Sequence, residues 1–323
     1  MPHTFTIAVP PGKKKERLDV FLTNQVGNAT RSKVQRAIRE GGVLVNGERV
    51  RASHAVSPGE VIQITLPKPP PQNAQPENIP LAVVYEDDDV IVVNKPAGMV
   101  THPAYGNYSG TLVNALLHHC AGIADVSDPV RPGIVHRLDK DTSGLIVAAK
   151  NEIAHAKLAQ QFARRTIGRE YQAIVWGRFR EQAGVIEAEL GRSKSDRKKI
   201  AVVREGKSAA TEYSVVRQFE YLALIRLKLR TGRTHQIRVH LAHINHPVFG
   251  DPTYYGRRLS WGSGSPAQKD EVRRLLLLMP RQALHAKTIA FVHPAMGNRM
   301  EFDSPLPEDM QTVLDSLHSA HRK

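Results

Sequence analysis

Ile225-Arg226-Leu227-Lys228-Leu229-Arg230 alternates apolar and cationic residues without a break. Successive side chains of a strand point to opposite faces, so Ile225, Leu227 and Leu229 share one face and the three cations the other. Working outward, Val90-Ile91-Val92-Val93, Gly133 to Leu138, Leu145-Ile146-Val147 and Glu170 to Trp176 read as further strands. Among them, Asn151 to Arg164 carries Ala154, Leu158 and Phe162 four apart, the spacing of one helix face. Hairpin-connected strands interleaved with helices packed to the side imply an α+β domain, its mostly antiparallel mixed sheet flanked by helices.

The chain has 323 residues, which suggests two domains at roughly 100–200 residues each. A break falls at Pro67-Lys68-Pro69-Pro70-Pro71-Gln72-Asn73-Ala74-Gln75-Pro76, where repeated prolines remove backbone donors and helical freedom. Residues 1–66 are then a small unit, residues 67–80 an extended linker, and residues 81–323 the α+β domain. Formal net charge is +14, and residues 1–66 hold ten Lys/Arg against five Asp/Glu. A field of that sign favours a polyanion, and nucleic acid is the commonest one in a cytosol. The single cysteine, Cys120, can make no internal disulfide and offers no thiolate cluster for a metal. No apolar signal core opens the sequence, and no run approaches the ~18 apolar residues that span a bilayer; the cytoplasm is the expected compartment, with no membrane partner.

Within the small unit, Leu18, Phe21 and Leu22 make an apolar stripe on a first short helix. Thr30 caps a second, whose Val34, Ala37 and Ile38 face inward while Arg31, Lys33, Arg36 and Arg39 point elsewhere. Gly41-Gly42 ends it, Val43-Leu44-Val45 enters an Asn46-Gly47 hairpin turn, and Val61-Ile62-Gln63-Ile64 supplies another strand. This order of helix charges and turn, over residues 16–66, resembles the S4 RNA-binding domain, a small α/β unit. The resemblance implies that Arg31, Lys33, Arg36 and Arg39 contact RNA phosphates, positioning the substrate rather than reading its sequence.

Three segments of the large domain concentrate chemistry. In Ile134-Val135-His136-Arg137-Leu138-Asp139-Lys140-Asp141-Thr142-Ser143-Gly144-Leu145, one apolar segment enters a polar loop and another leaves it, which can hold a carboxylate rigidly with one face open. In Thr231-Gly232-Arg233-Thr234-His235-Gln236-Ile237-Arg238-Val239-His240-Leu241, Thr234 is placed to cap a helix that buries Ile237, Leu241 and Ile244. Arg238 lies beside that stripe, where a guanidinium can pair with a loop carboxylate. Arg169-Glu170-Tyr171-Gln172-Ala173-Ile174-Val175 is a strand whose aromatic can receive a base. Spacing alone leaves Tyr171 as readily a core residue and Arg238 as readily a surface one.

These segments, with Asn94-Lys95-Pro96-Ala97-Gly98 before them and Leu284-His285-Ala286 after them, resemble the RluA-type pseudouridine synthases from residue 81 onward. The resemblance implies a cofactor-free and metal-free isomerase with Asp139 as catalytic aspartate, Tyr171 as active-site tyrosine and Arg238 as the arginine paired with the aspartate. It further implies that Arg137 enters the RNA stack as the target base leaves and that Leu284 lines the pocket. The S4-like unit and Asn114-Ala115-Leu116-Leu117-His118 point toward members that act on large-subunit (23S) ribosomal RNA, at the stem-loop called helix 69. The expected partner is then ribosomal RNA in the large subunit or its precursor, with no obligate protein partner.

Two other activities fit parts of the sequence. A nucleoside or glycoside hydrolase could use Asp139 with Asp141, and a non-enzymatic ribosome factor could rest on the S4-like unit alone. His235, His240, His243 and His246 invite a metal reading, but their spacing fits no closed zinc pattern. Gly206-Lys207-Ser208 ends like a phosphate loop without its earlier glycine, and Gly262-Ser263-Gly264-Ser265-Pro266-Ala267 fits a relaxed dinucleotide pattern without a preceding strand.

Overall fold

The computed structural model describes residues 3–320 apart from 27–29, 67–72, 105, 121, 127–129, 197–198 and 260–264. The chain divides into two compact units, residues 1–71 and 72–323. Residues 67–72 of the proline-rich stretch and residues 262–264 of the dinucleotide-like pattern lie outside the described residues.

The first unit contains β1 (His3–Ala8), β2 (Glu16–Arg17), α1 (Leu18–Gln25), α2 (Arg31–Arg39), β3 (Val43–Val45), β4 (Glu48–Arg49), β5 (Ala55–Val56) and β6 (Val61–Leu66). Its sheet runs β1-β6-β3-β4, with β2 and β5 paired separately. Thr30 caps α2 by accepting the Lys33 amide, and Asn46 and Gly47 both take positive φ in the turn between β3 and β4. The two helix stripes meet the sheet in one core of Leu18, Phe21, Leu22, Val34, Ile62 and Ile64 with their neighbours. Asp19 is fully buried beneath α2 and accepts from Arg17, Arg31 and Gln35. The Arg17 hydrogen bond, then those of Gln35 and Arg31, hold its carboxyl far below the usual range against the cost of burial. Of the four cations on α2, Arg31 is thus tied to Asp19 at 3.0 Å and Arg36 to Glu40 at 2.6 Å, while Lys33 and Arg39 are exposed.

The second unit contains β7 (Val83–Glu86), β8 (Val90–Lys95), α3 (Leu112–His119), β9 (Ser143–Ala149), α4 (Glu152–Arg164), β10 (Gly168–Trp176), β11 (Ala183–Arg192), β12 (Ile200–Val202), β13 (Lys207–Gln218) and β14 (Leu222–Leu229). There follow α5 (Gln236–His243), α6 (Pro266–Leu278), β15 (Leu284–Val292), β16 (Arg299–Asp303) and α7 (Glu308–Ala320). One sheet of ten strands runs β12-β11-β13-β14-β10-β15-β9-β8-β7, with β16 added to β15. Every pairing is antiparallel except that of β15 with β9. The fold is α+β, as the alternation and hairpin spacing suggest.

Burial follows position in the sheet. Toward the end of β14, Ile225 and Leu227 are buried while Arg226 and Lys228 are exposed, whereas at its start Leu222 and Leu224 are buried on that second face as well. On β8 and β9 both faces are covered: Ile91, Val93, Ile146 and Ala148 enter the main core, whereas Val90, Val92, Leu145 and Val147 pack with Ala154 and Leu158 of α4. Such strands read as continuous apolar runs for that reason. Among the described residues, no helix is long and apolar enough to cross a membrane.

Two local expectations fail. Gly133 to Leu138 is not a strand; only Ile134 bridges Ala148. Side chains replace the ladder there, with the Val147 amide donating to His136 Nε2 at 3.1 Å and the Leu138 amide to Thr101 Oγ1 at 3.2 Å. Thr234 does not cap α5. His235 precedes the helix with φ 54° and no capping side chain, and the Gln236 side chain instead accepts the amide of Arg233 in the preceding turn at 3.0 Å.

Candidate active site

A polar loop between the irregular segment and β9 presents Asp139. Backbone groups of this loop are gripped by side chains from distant parts of the chain. Thr101 Oγ1 donates to the Leu138 carbonyl at 2.9 Å, Lys95 Nζ to that of Lys140 at 3.2 Å, and Arg281 to that of Asp141 at 3.0 Å. Lys95 is almost wholly buried, also donating to the carbonyls of Pro96 and Met99, and burial pushes its pKa down to about 7. Arg281 is itself held by Asp309 of α7 at 2.7 Å. After the loop, Gly144 takes φ 115°, where a Cβ would lie 2.3 Å from the Ala286 carbonyl oxygen. Only glycine lets β9 approach β15 so closely.

Helix α5 supplies Arg238, which is 5% exposed. Its Nε and one terminal nitrogen make a fork with Asp251 at 2.6 and 2.9 Å, and its other terminal nitrogen donates to Asp139 Oδ2 at 3.0 Å. Asp251 is fully buried and also accepts the amides of Thr253 and Tyr254. The guanidinium lies 5.0 Å from the Tyr254 ring centroid. Fork, ring and amides fix the arginine, and the arginine fixes the carboxylate.

Around Asp139 lies a cavity of about 440 Å³. Tyr171 forms part of its floor from β10, at the point where the β10–β15 register shifts between Glu170 and Tyr171. The ring is 6% exposed; burial, with the charge of Asp139, raises the pKa of its hydroxyl, so the phenol is neutral at physiological pH. Leu284, 3% exposed at the start of β15, closes the apolar side, and exposed Arg137 stands next to Asp139 in the loop. The structure therefore brings Asp139, Tyr171, Arg238, Arg137 and Leu284 to one cavity. The α2 cations Arg31, Lys33, Arg36 and Arg39 belong to the other unit and are not among the lining residues. Asp141 is not among the lining residues.

Several residues escaped the sequence reading. Arg165, Arg169 and Arg233 line the cavity with Arg137 and Arg238, while Asp139 is its one carboxylate among the described residues. Arg169 lies 5.3 Å from the Phe162 centroid, and its Nε is buried without a partner. His136 stacks on the same ring at 4.6 Å, and burial, aided by the charge of Arg169, lowers its pKa to about 3. Asp251 carried no periodic signal; the Gly-Asp-Pro string around it, typical of a turn, was the available hint. Three of the four suspected metal histidines have other partners: His235 meets Tyr254, His240 meets Thr211, and His246 meets the Trp176 carbonyl. Lys207 opens strand β13 rather than a helix, so no phosphate loop forms there.

A rigid carboxylate facing a cationic cavity with room for a whole nucleotide suits an enzyme that works on a nucleotide within a polyanion. Residues 89–243 match the family described as RNA pseudouridylate synthase, and residues 16–62 match the S4 domain. An uncharacterized RNA pseudouridine synthase of Chlorobaculum parvum is 49% identical over 323 residues, covering 97% of this chain and 98% of that protein. Ribosomal large subunit pseudouridine synthase D of Zymomonas mobilis is 42% identical over 311 residues, covering 95% of each. A solved structure, human RNA pseudouridylate synthase domain containing 1, matches with a TM-score of 0.55 and 24% identity over 76% of this chain and 96% of that one, a likeness of fold. The chain belongs to the RNA pseudouridine synthase family, carries an S4 domain and is an isomerase.

Proposed function

We propose that this enzyme converts uridines of large-subunit ribosomal RNA to pseudouridine in the cytoplasm, with the helix 69 stem-loop as target and Asp139 as the carboxylate at C1′. The observation that carries this reading is the lone carboxylate, Asp139, fixed by Arg238 in a cavity whose lining also includes four further arginines. The reaction breaks N1–C1′, turns the uracil and joins C5 to C1′. Asp139 attacks or stabilises the electron-poor sugar carbon while the base is detached. Arg238 aims it. The Tyr171 ring stacks on the uracil, and its neutral hydroxyl lies near the C5 proton that must finally leave. Unstacking the target costs a few kcal/mol, least for a loop nucleotide, and Arg137 fills the vacated place while Leu284 packs on the base edge. Arg165, Arg169 and Arg233 suit the flanking phosphates. In the S4 unit, Lys33 and Arg39, with Arg31 and Arg36 beside them, hold RNA by its backbone.

The relatives named ribosomal large subunit pseudouridine synthase D support the choice of substrate. A hydrolase using two carboxylates is disfavoured because Asp141 does not face the cavity. The test is pseudouridine mapping of ribosomal RNA from cells with and without the gene, followed by purified wild type and Asp139→Asn on the same RNA. We expect loss of specific large-subunit sites, turnover abolished by Asp139→Asn with RNA binding retained, and RNA mass unchanged. Near-normal turnover in Asp139→Asn removes that residue from the chemistry, and released uracil would mean hydrolysis.

A further inference from the structure

His235 stands at the entrance to α5 with φ 54°, a left-handed conformation uncommon outside glycine. That backbone turns its ring into the cavity beside Asp139. Its Nδ1 lies 2.8 Å from the Tyr254 hydroxyl, which also receives the Ile200 amide at 3.0 Å. Tyr254 is 5% exposed, so the phenol must satisfy itself within the protein. The Ile200 N–H gives that oxygen a donor but leaves the buried phenolic proton without an acceptor, and Nδ1 is the acceptor that these contacts place within reach, so the proton is donated to Nδ1. An imidazole that accepts at Nδ1 carries its own proton at Nε2. That Nε2 is 3.9 Å from Asp139 Oδ2, beyond hydrogen-bond distance, so the carboxylate does not consume the donor.

We propose that His235 is a substrate-binding donor of the isomerisation: its Nε2–H, held in place by Tyr254 and the Ile200 amide, binds the O2 carbonyl of the target uracil. This rests on Asp139 acting at C1′. O2 sits on the ring carbon next to N1, on the edge that faces C1′, so a donor beside the carboxylate meets it. When N1–C1′ breaks, its electron pair passes to the base and spreads over N1, O2 and O4. A fixed N–H at O2 stabilises that charge as it grows, and no proton leaves His235 in the step. The ring stays neutral for this task. Burial lowers its pKa, and the charges around it are divided, with Asp139 and Asp251 favouring the cation and Arg238 and Arg137 opposing it. Protonation would instead pair His235 with Asp139 and occupy the carboxylate. Strand β12, which offers Ile200, thereby reaches the reacting base through two side chains.

The experiment is single-turnover kinetics on a stem-loop carrying either uridine or 2-thiouridine at the target, because sulfur at position 2 accepts hydrogen bonds poorly. On uridine, His235→Ala should slow turnover about 10²-fold, the usual scale for losing one such donor, with RNA affinity retained. On 2-thiouridine the gap between wild type and His235→Ala should shrink several-fold, since the contact is already weak; an equal gap on both RNAs overturns the assignment. Tyr254→Phe keeps the ring but frees Nδ1. Losing a donor that favours the neutral imidazole raises its pKa, so the acid limb of the rate–pH profile should move to higher pH, and an unmoved limb overturns the relay. Asp139→Asn should be inactive on both RNAs, and activity there refutes the carboxylate reading separately from that of His235.

Discussion

Arg238 is engaged on every side: two nitrogens on Asp251, one on Asp139, and its plane against Tyr254. Lysine carries the same charge on one point and cannot reproduce that fork. Arg238→Lys should therefore leave Asp139 unaimed and slow single-turnover conversion about 10²-fold, the scale of an ångström's misplacement. The check is rate at saturating RNA together with a melting curve, since a fold that melts early would give a different account. Asp139, Tyr171 and Arg238 are legible through the family resemblance, since spacing alone leaves Tyr171 as readily core and Arg238 as readily surface, and the fold brings all three to one cavity. Asp251 and Tyr254 were not legible. Their roles come from a loop returning to α5, and local pattern carries no record of a return.

Strands and helices with a clean period were readable: β14 by its alternation, α4 by its fourfold spacing, and α2 by its cap and apolar stripe. Segment 133–138 misled because Ile134 and Val135 have the composition of a strand, while His136 and Thr101 side chains take over its hydrogen bonds. The start of α5 misled for a similar reason, since the Gln236 side chain holds the preceding turn and no side chain caps the helix. The junction of loop and β9 makes a testable case. Gly144→Ala sets a methyl group against the Ala286 backbone, which no rotamer relieves, at a φ that disfavours any side chain. We expect a loss of at least about 3 kcal/mol in urea unfolding, with activity falling as Asp139 and Leu284 lose their common support. A variant as stable and active as wild type would show that β9 and β15 separate freely.

For the molecule as a whole, composition announced two units and a polyanionic substrate, and each unit matches a different family model. Which α2 cations are available was not legible, because Asp19 looks like any surface carboxylate until α1 and α2 are packed. Lys33 and Arg39 can be changed without disturbing that buried group. If both contact phosphates, Lys33→Ala with Arg39→Ala should flatten the plot of log affinity against log salt by about 1.4–1.8, at roughly 0.7–0.9 per contact. Turnover at saturating RNA should stay at the wild-type rate. An unchanged slope in a titration of the stem-loop would remove these two residues from the RNA interface.

The clamp on the Asp139 loop also sets a schedule. Chains are made from the N-terminus, and Arg281 arrives 140 residues after the Asp141 carbonyl it must hold. Asp309, which steadies Arg281, comes 28 residues later still. During synthesis the Asp139 loop, with Lys95 and Thr101 already before it in the chain, exists long before its Arg281 contact does. A nascent chain with Asp139, Tyr171 and Arg238 already outside the ribosome would still lack the Arg281–Asp309 hold on the loop until α7 had emerged. Competence is thus deferred until nearly the whole domain has left the machine that made it.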